Sequence, residues 1–311
     1  DTVDIGAYEY DGIIYNGPWY VDGDAAVSGD GMSWANAFAS IEEAIEIAGI
    51  GEEILVKEGT YSLADTIYLE KAVKLYGGFR GNGMDRDIEG TSTVIDGQGS
   101  LQTCFYVTAG ATIDGFTITG GNANNYGGGG MYIDGADPII NRCTFTENSA
   151  SFIGGAIHMN GSPTISRPTI SNSVFINNST TNRAGAIGSY RSAPQIEGCI
   201  FTSNQSSQGG AIYLQDSAAS PSIANCLFQG NRASQGGALY LDEYSEQYPM
   251  LVVINCTFAD NRGGLGGAIA ASYSDASFSN CIFWNDGTIA TFGPEIYAWG
   301  SGAPTVTFCD V

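Results

Sequence analysis

Tyrosines and a single histidine recur at one position of a short, strand-like sequence pattern. The position follows a GGAI-like step, and successive copies hold Tyr132, His158, Gly188, Tyr213, Tyr240 and Ala270. Aromatic rings stacked along an outward sheet surface can hold sugar rings or a partner protein, and an imidazole among them can act as a base. Tyr132, His158, Tyr213 and Tyr240 are therefore the candidate ligand-binding residues. The alternative is that Tyr simply suits an exposed strand.

Three carboxylates form a second candidate site near the beginning of the chain. Asp22, Asp24 and Asp30 lie in the glycine-rich segment DGDAAVSGDG. Calcium prefers oxygen ligands on flexible segments, although this spacing matches no EF-hand. Calcium is therefore a candidate cofactor here, and the favoured interpretation is a solvated turn whose Asp side chains cap backbone groups.

The tyrosine column belongs to a repeat of 25 to 30 residues. The six copies are anchored by a small residue, namely Cys143, Ser173, Cys199, Cys226, Cys256 and Cys281. A Phe follows two residues after each anchor, so anchor and Phe face the same side of a strand. A second apolar pair follows the glycine step, and no copy contains a helix. A period of this size predicts an all-β solenoid, a right-handed parallel β-helix.

Stacked copies bring equivalent residues into columns that explain the composition. The predicted internal aromatic stack is Phe145, Phe175, Phe201, Phe228, Phe258 and Phe283. The predicted asparagine ladder is Asn148, Asn178, Asn204, Asn231 and Asn261, followed by Asp286. We expect these asparagines to adopt the left-handed conformation at a turn and to bond the equivalent residue of the next copy. The anchor cysteines share an inward column, which favours buried thiols over disulfides.

Charge and residue inventory exclude several functions. The formal net charge is −22, so nucleic acid and anionic membrane surfaces are poor partners. The sequence contains one histidine and no CxxC motif, which argues against zinc, haem and redox sites. The absence of a long apolar run argues against direct membrane insertion.

The N-terminal third is organised differently from the repeats. Residues 18–108 are predicted to form a capping helix and the first rungs, with Ser40 and Glu43 as a capping box. Residues 109–311 are predicted to form regular rungs with an open C-terminal end. Residues 1–17 have no place in this register, because they contain the separate segment DTVDIGAYEY.

The segments GDGMSWANAFASIEEAI, ILVKEGTY and LYGGFRG resemble the N-terminal cap and first coils of secreted bacterial right-handed β-helix proteins. The GGAI and FxxN steps resemble repeats of the chlamydial polymorphic outer-membrane proteins, and DTVDIGAYEY resembles the tail that closes many secreted β-helix domains. The resemblance covers nearly all of the chain after about residue 18. It implies export to the bacterial surface or medium, with adhesive or structural roles in some members and polysaccharide cleavage in others.

The enzyme hypothesis requires a catalytic group. Polysaccharide lyases on this fold generally use a Lys or Arg base near calcium-binding carboxylates, and hydrolases use neighbouring carboxylates in a groove. Arg183 and Arg191 lie near the tyrosine column, and Asp216 and Asp242 follow the later strands. Their spacing singles out none of them, so no catalytic residue is predicted.

The favoured prediction is a secreted or cell-surface structural or adhesive module. It would be one unit of a tandem array or of a head-to-tail fibre, because residues 1–17 look like the end of a preceding unit and an open parallel edge accepts another strand. The expected partners are therefore copies of the chain itself, and carbohydrate. The alternatives are a polysaccharide-active enzyme, either a lyase or a hydrolase, and a non-catalytic carbohydrate-binding module.

Overall fold

The computed structural model describes residues 17–101, 103–124, 127–216, 220–243, 250–292 and 295–310. The predicted tail-like segment at residues 1–17 lies outside the described residues except for its last residue. The described chain winds as a parallel β-solenoid, because every pairing between its named strands is parallel and each strand pairs with its equivalents one turn before and after. The predicted all-β parallel β-helix is confirmed.

Four parallel sheets run along the solenoid. Sheet 1 contains Trp19–Val21, Glu53–Lys57, Lys74–Phe79, Thr112–Asp114, Ile139–Asn141, Thr169–Ser171, Gln195–Glu197, Ser222–Ala224, Val252–Ile254, Ser277–Ser279 and Thr305–Thr307. Sheet 2 contains Ile67–Leu69, Phe105–Val107, Met131–Asp134, Ile157–Asn160, Ile187–Tyr190, Ile212–Gln215, Leu239–Asp242, Ile269–Ser272 and Ile296–Trp299.

Sheets 3 and 4 close the remaining sides. Sheet 3 contains Gly59–Ser62, Thr93–Leu101, Thr117–Ala123, Thr144–Thr146, Ser149–Ala150, Val174–Ile176, Ser179–Thr180, Ile200–Thr202, Leu227–Gln229, Thr257–Ala259 and Ile282–Trp284. Sheet 4 contains Arg232–Gln235, Arg262–Leu265 and Gly287–Phe292.

The predicted phenylalanine stack forms the centre of the core. Neighbouring rings from Phe145 to Phe283 lie 4.8–5.0 Å apart between centroids and within 7° of parallel. All six rings are buried. The anchor cysteines are also buried, and all are free thiols. Because burial raises the pKa of the Cys143 thiol to about 12, this group stays protonated and inert at neutral pH.

The predicted asparagine ladder is present and fully hydrogen-bonded. The Asn178 Nδ2 atom donates to Asn204 Oδ1 at 3.1 Å and to the Phe145 carbonyl oxygen at 2.9 Å. The same pair of bonds recurs from Asn148 to Asn231, and Asn261 completes it with Asp286. The ladder therefore joins successive turns by side-chain bonds within the buried core.

The expected left-handed conformation of the ladder asparagines is wrong. The positive φ angles occur one residue earlier, at Glu147, Asn177, Ser203, Gly230, Asp260 and Asn285. The bend is made by the residue before the ladder, so the Asn side chain can point inward and bond along the stack. Residues as different as Glu and Ser adopt this left-handed conformation, because the hydrogen bonds of the following ladder residue hold the backbone in it.

A short helix covers the beginning of the core, as predicted. It spans Ile41–Ile47, and the Ser40 hydroxyl accepts a hydrogen bond from the Glu43 backbone nitrogen at 3.3 Å. A 3₁₀ turn at Trp34–Asn36 precedes it. Ile41, Ala44 and Ile45 are buried in the same apolar core as the sheets. This helix shields the apolar side chains of the first turn from water.

Sheets 1 and 2 end on Thr305–Thr307 and Ile296–Trp299. Among the described residues, no strand pairs with the outer edge of either. The Phe308 side chain beside them is 91% exposed. These edges carry the backbone N–H and C=O groups with which a strand of another unit would pair in the predicted head-to-tail assembly.

Candidate functional site

The candidate ligand-binding residues lie on the outward face of sheet 2, in one register column. In chain order the column holds Tyr68, Tyr106, Tyr132, His158, Gly188, Tyr213, Tyr240, Ala270 and Tyr297. Sequence reasoning missed Tyr68, Tyr106 and Tyr297, because their strands are not preceded by the GGAI-like step. The signal available was the alternation in IYL, FYV and IYA, whose central residue points outward.

Three tyrosines at the N-terminal end of this column form an accessible aromatic surface. The rings of Tyr68 and Tyr106 lie 5.7 Å apart between centroids, and those of Tyr106 and Tyr132 lie 5.3 Å apart and 9° from parallel. Tyr68 is 52% exposed, and Tyr106 and Tyr132 are half-buried. We call Tyr68, Tyr106 and Tyr132 the tyrosine platform.

The expectation that Tyr213 and Tyr240 present exposed rings is wrong. Tyr213 is fully buried and Tyr240 is 4% exposed. Both pack in a second apolar cluster with Ile153, Ala184 and Ala270 on the outer side of sheet 2. Ile153 and Ala184 belong to the turns that precede the strands Ile157–Asn160 and Ile187–Tyr190, so these turns help to cover the later part of the column.

Gly188 marks the point at which the column becomes covered. A β-carbon at this position would lie 2.2 Å from the Ile153 Cγ1 atom. At the turn of Gly188, the Ile153 side chain thus occupies the space that corresponds to the space of the Tyr132 and Tyr213 rings in their own turns. This close approach separates the accessible platform from the buried tyrosines.

His158 lies at the border between the two parts of the column. Its ring meets Tyr132 edge-on, with centroids 5.0 Å apart and an interplanar angle of 86°. The His158 Nδ1 atom is buried and has no hydrogen-bond partner within the described ranges. Burial lowers the pKa of His158 to about 4, so the imidazole is neutral at pH 7.

A polar column runs beside the tyrosines, two residues further along each strand. It holds Asp134, Asn160, Tyr190, Gln215, Asp242, Ser272 and Trp299. Asp134 accepts hydrogen bonds from Tyr106 Oη and from Asn160 Nδ2, each at 3.1 Å. Burial, followed by the Asp134 charge, raises the pKa of Tyr106 to about 12. The central ring of the platform, Tyr106, is thus held by Asp134, and Asp134 and Asn160 can also hydrogen-bond a ligand.

Arg183 lies over the covered part of the column. Its guanidinium carbon is 5.0 Å from the Tyr213 ring centroid and 5.5 Å from that of Phe152. The Tyr213 hydroxyl donates to Asp242 Oδ2 at 2.6 Å, and burial followed by this bond raises the pKa of Tyr213. The structure thus brings Arg183 and Asp242, which the sequence did not single out, to the same tyrosine.

The predicted calcium ligands lie in a separate region near the capping helix. Asp22 and Asp24 accept bonds from the Lys57 ammonium group at 2.9 and 3.4 Å, and the hydrogen bond to Asp22 raises the pKa of Lys57. Asp30 accepts from the Met32 backbone nitrogen at 3.0 Å. No cluster of three or more metal-ligating side chains occurs in the described ranges. Binding of calcium here therefore remains a prediction, and the ion must compete with Lys57.

Comparison with known proteins concerns the fold. The family model of the right-handed β-helix region matches residues 82–248 and 167–311. A solved structure described as a rhamnogalacturonan lyase superimposes with a TM-score of 0.59 at 15% identity, over 85% of this chain and 74% of that one. No curated protein sequence matches the chain. None of the helices within the described residues has the length and apolar character needed to cross a membrane.

Proposed function

Because the chain belongs to the right-handed β-helix family, we propose that it uses the outward face of its solenoid to bind a polysaccharide. The observation that carries this proposal is the tyrosine platform, in which three accessible rings follow one another at 5.3–5.7 Å along sheet 2. Tyr rings suit such a surface because they offer a broad apolar face and a polar edge, and they lose little conformational entropy on binding.

The geometry matches an extended chain of sugars. The edges and hydroxyl groups of these tyrosines recur once per turn along the solenoid, so they can contact successive sugar rings of a chain that runs in the same direction. Asp134 and Asn160 lie beside the platform and supply acceptors and donors for sugar hydroxyl groups. Binding sites for small ligands commonly combine apolar walls with a few fixed polar groups of this kind.

The similarity to a rhamnogalacturonan lyase supports a polysaccharide over a protein as the ligand, although at 15% identity it shows the fold alone. An extracellular or cell-surface location is proposed together with this ligand class. The polysaccharide ligand belongs to the alternatives predicted from the sequence, whereas the extracellular or cell-surface location is shared with the favoured structural or adhesive module.

Binding should be measured by affinity electrophoresis and calorimetry against a panel of plant and bacterial polysaccharides. We expect Tyr106→Ala and Tyr132→Ala to weaken binding by at least about tenfold each, which corresponds to the 1.4 kcal/mol expected for loss of one stacked ring. Trp284→Ala is the matched control, since Trp284 is an exposed aromatic residue on sheet 3. Equal affinity for the platform variants and the wild type would contradict the proposal.

Cleavage of the bound polysaccharide is a second candidate function. The observation that favours it is the neutral imidazole of His158, which lies 5.0 Å from the Tyr132 ring at the end of the platform. In an elimination, this imidazole would take the proton from the carbon beside the carboxyl group of an acidic sugar. The neighbouring glycosidic C–O bond breaks at the same time, and water protonates the leaving oxygen. If this function is correct, the wild type should release unsaturated products and His158→Ala should not. If neither protein releases product, the protein binds the polysaccharide without cleaving it.

Head-to-tail assembly of an extracellular structural or adhesive fibre also remains a proposal. Among the described residues no strand pairs with the outer edges of Ile296–Trp299 and Thr305–Thr307. These edges and the exposed Phe308 ring support the proposal, because a parallel edge can add another strand. Light scattering at increasing concentration should detect the assembly, and Phe308→Asp should reduce it. A concentration-independent monomer would contradict it.

A further inference from the structure

Arg183 differs from Arg86, the other arginine whose guanidinium lies over aromatic rings in the part of the chain that the structure describes. Arg80, Arg86 and Arg142 each form an ion pair with a carboxylate at 2.7–2.8 Å. Arg183 forms none with the described residues, although the chain has 33 acidic and 11 basic residues. Its placement is therefore not explained by neutralisation of a neighbouring carboxylate.

The donors of Arg183 are only partly used. Nη1 donates to Gln215 Oε1 at 3.1 Å, whereas Nε is buried and has no hydrogen-bond partner among the residues that the structure describes. A buried donor without a partner is destabilising, so an acceptor that reaches it gains a hydrogen bond that the protein alone does not make. The Nε and Nη2 atoms form one edge of the guanidinium fork, and such an edge matches the two oxygens of an anion.

The surroundings hold this fork in place on the outward side of sheet 2. The guanidinium packs against Tyr213, which is fixed by its bond to Asp242. On another side it meets Phe152, whose ring is 46% exposed and has room to move aside or to stack on a ligand. Arg183 also precedes the strand Ile187–Tyr190, which pairs with the His158 strand at the end of the platform.

We infer that Arg183 binds an anionic group of the ligand, a carboxylate or a sulfate ester, so that the protein selects acidic polysaccharides. This inference rests on the proposed polysaccharide-binding function and adds the ligand class to it. The net charge of −22 repels polyanions at long range, but salt screens that repulsion beyond about 8 Å at physiological ionic strength. A fixed cation in direct contact therefore decides which sugars remain bound.

The test compares polygalacturonate, its carboxyl-reduced neutral form and dextran sulfate in physiological salt. For wild type we expect polygalacturonate to bind at least tenfold more tightly than the reduced polymer. Arg183→Gln should remove this preference and leave binding of the neutral polymer unchanged. Arg183→Lys should restore only part of it, because an ammonium group lacks the fork. Dextran sulfate shows whether sulfate esters are accepted as well as carboxylates.

Arg191→Gln is the matched control, because Arg191 is an exposed arginine just after the strand Ile187–Tyr190 and its loss changes the net charge equally. Equal weakening by both variants would indicate a general charge effect and overturn the inference. So would a lower melting temperature of Arg183→Gln with unchanged affinities, since Arg183 would then only cover Tyr213. Equal wild-type binding of the acidic and neutral polymers overturns the inference alone, whereas no binding of any polymer overturns the proposed function too.

Discussion

Asp286 accepts hydrogen bonds from both the backbone nitrogen and the Nδ2 atom of Asn261, at 2.7 and 2.8 Å. It thus takes the place of the next asparagine in the ladder, but as a carboxyl group it has no amide hydrogen to donate. Its Oδ2 atom is buried and has no hydrogen-bond partner in the part of the chain that the structure describes. Burial raises the pKa of Asp286 to about 6, and burial followed by the Asp286 charge raises the pKa of the nearby Glu295 to about 7.

These two carboxyl groups predict stability that falls as pH rises. Their pKa values are higher in the folded chain than in the unfolded chain, so the folded chain binds more protons between about pH 4 and 7. The stabilisation is complete below the unfolded pKa and is lost as pH rises through the folded pKa. We expect the melting temperature to decrease over this window. Asp286→Asn should weaken the dependence of the melting temperature on pH and raise the melting temperature at pH 8. The control is Glu89→Gln, at an exposed site, which should have neither effect.

Interrupting the asparagine ladder should be costly. Asn204 Oδ1 accepts from Asn178 N and Nδ2, and its Nδ2 donates to the Phe175 carbonyl oxygen. Asn204→Ala leaves these buried groups unpaired, so we expect a loss of at least about 2 kcal/mol of unfolding free energy. Chemical denaturation measures it, with the exposed Gln205→Ala as control. A loss no larger than that of the control would show that the ladder bonds are energetically neutral.

The phenylalanine stack should be the most sensitive part of the core. Phe228 lies 4.8 Å from the rings of both Phe201 and Phe258. Truncation to Ala removes contacts with both neighbouring turns and leaves a cavity, so we expect a cost of about 3–5 kcal/mol. Leu227→Ala, one residue away and half-buried on the outer face, should cost less. Similar midpoints for the two variants in denaturant would argue against a continuous stack.

Calcium binding at Asp22 and Asp24 should compete with Lys57. We expect calcium to raise the melting temperature by mass action, and Asp24→Asn to abolish this gain. Because the Lys57 ammonium lies 2.9 Å from Asp22, Lys57→Gln should increase the gain. Identical melting curves in calcium and in chelator, for both the wild type and Lys57→Gln, would contradict calcium binding. The Asp side chains would then serve only as partners of Lys57 and as caps of the turn.

The inward columns were predictable from the sequence, whereas the accessibility of the outward column was not. Phe228 and Asn231 are placed by strand alternation and by the period of the repeat, which are local properties. Tyr132 and Tyr213 occupy the same outward register position, yet only Tyr132 is accessible. Their difference arises from Ile153 and Arg183, whose turns fold over the sheet, and no strand pattern encodes that cover.

The bend beside the ladder lies at a different residue from the predicted one, for a related reason. Asn is tolerant of positive φ, so the repeated Asn was the natural candidate for the bend. The bend instead occurs at Asn177 or Ser203, one residue earlier, because Asn178 and Asn204 must direct their side chains inward. A residue that varies between copies therefore makes the turn, and the ladder residue, which is Asn in all copies but the last, makes the bonds.

The in-register stacking of single turns has a consequence for how this surface can change during evolution. Cys199 and Cys226 are 27 residues apart and hydrogen-bond across one turn, so the segment between them is a complete structural unit. Duplicating or deleting such a unit by unequal recombination would keep every column aligned on both sides of the junction. The length of the outward face, and so the number of sugars it could span, can thus change in discrete steps without redesign of the core.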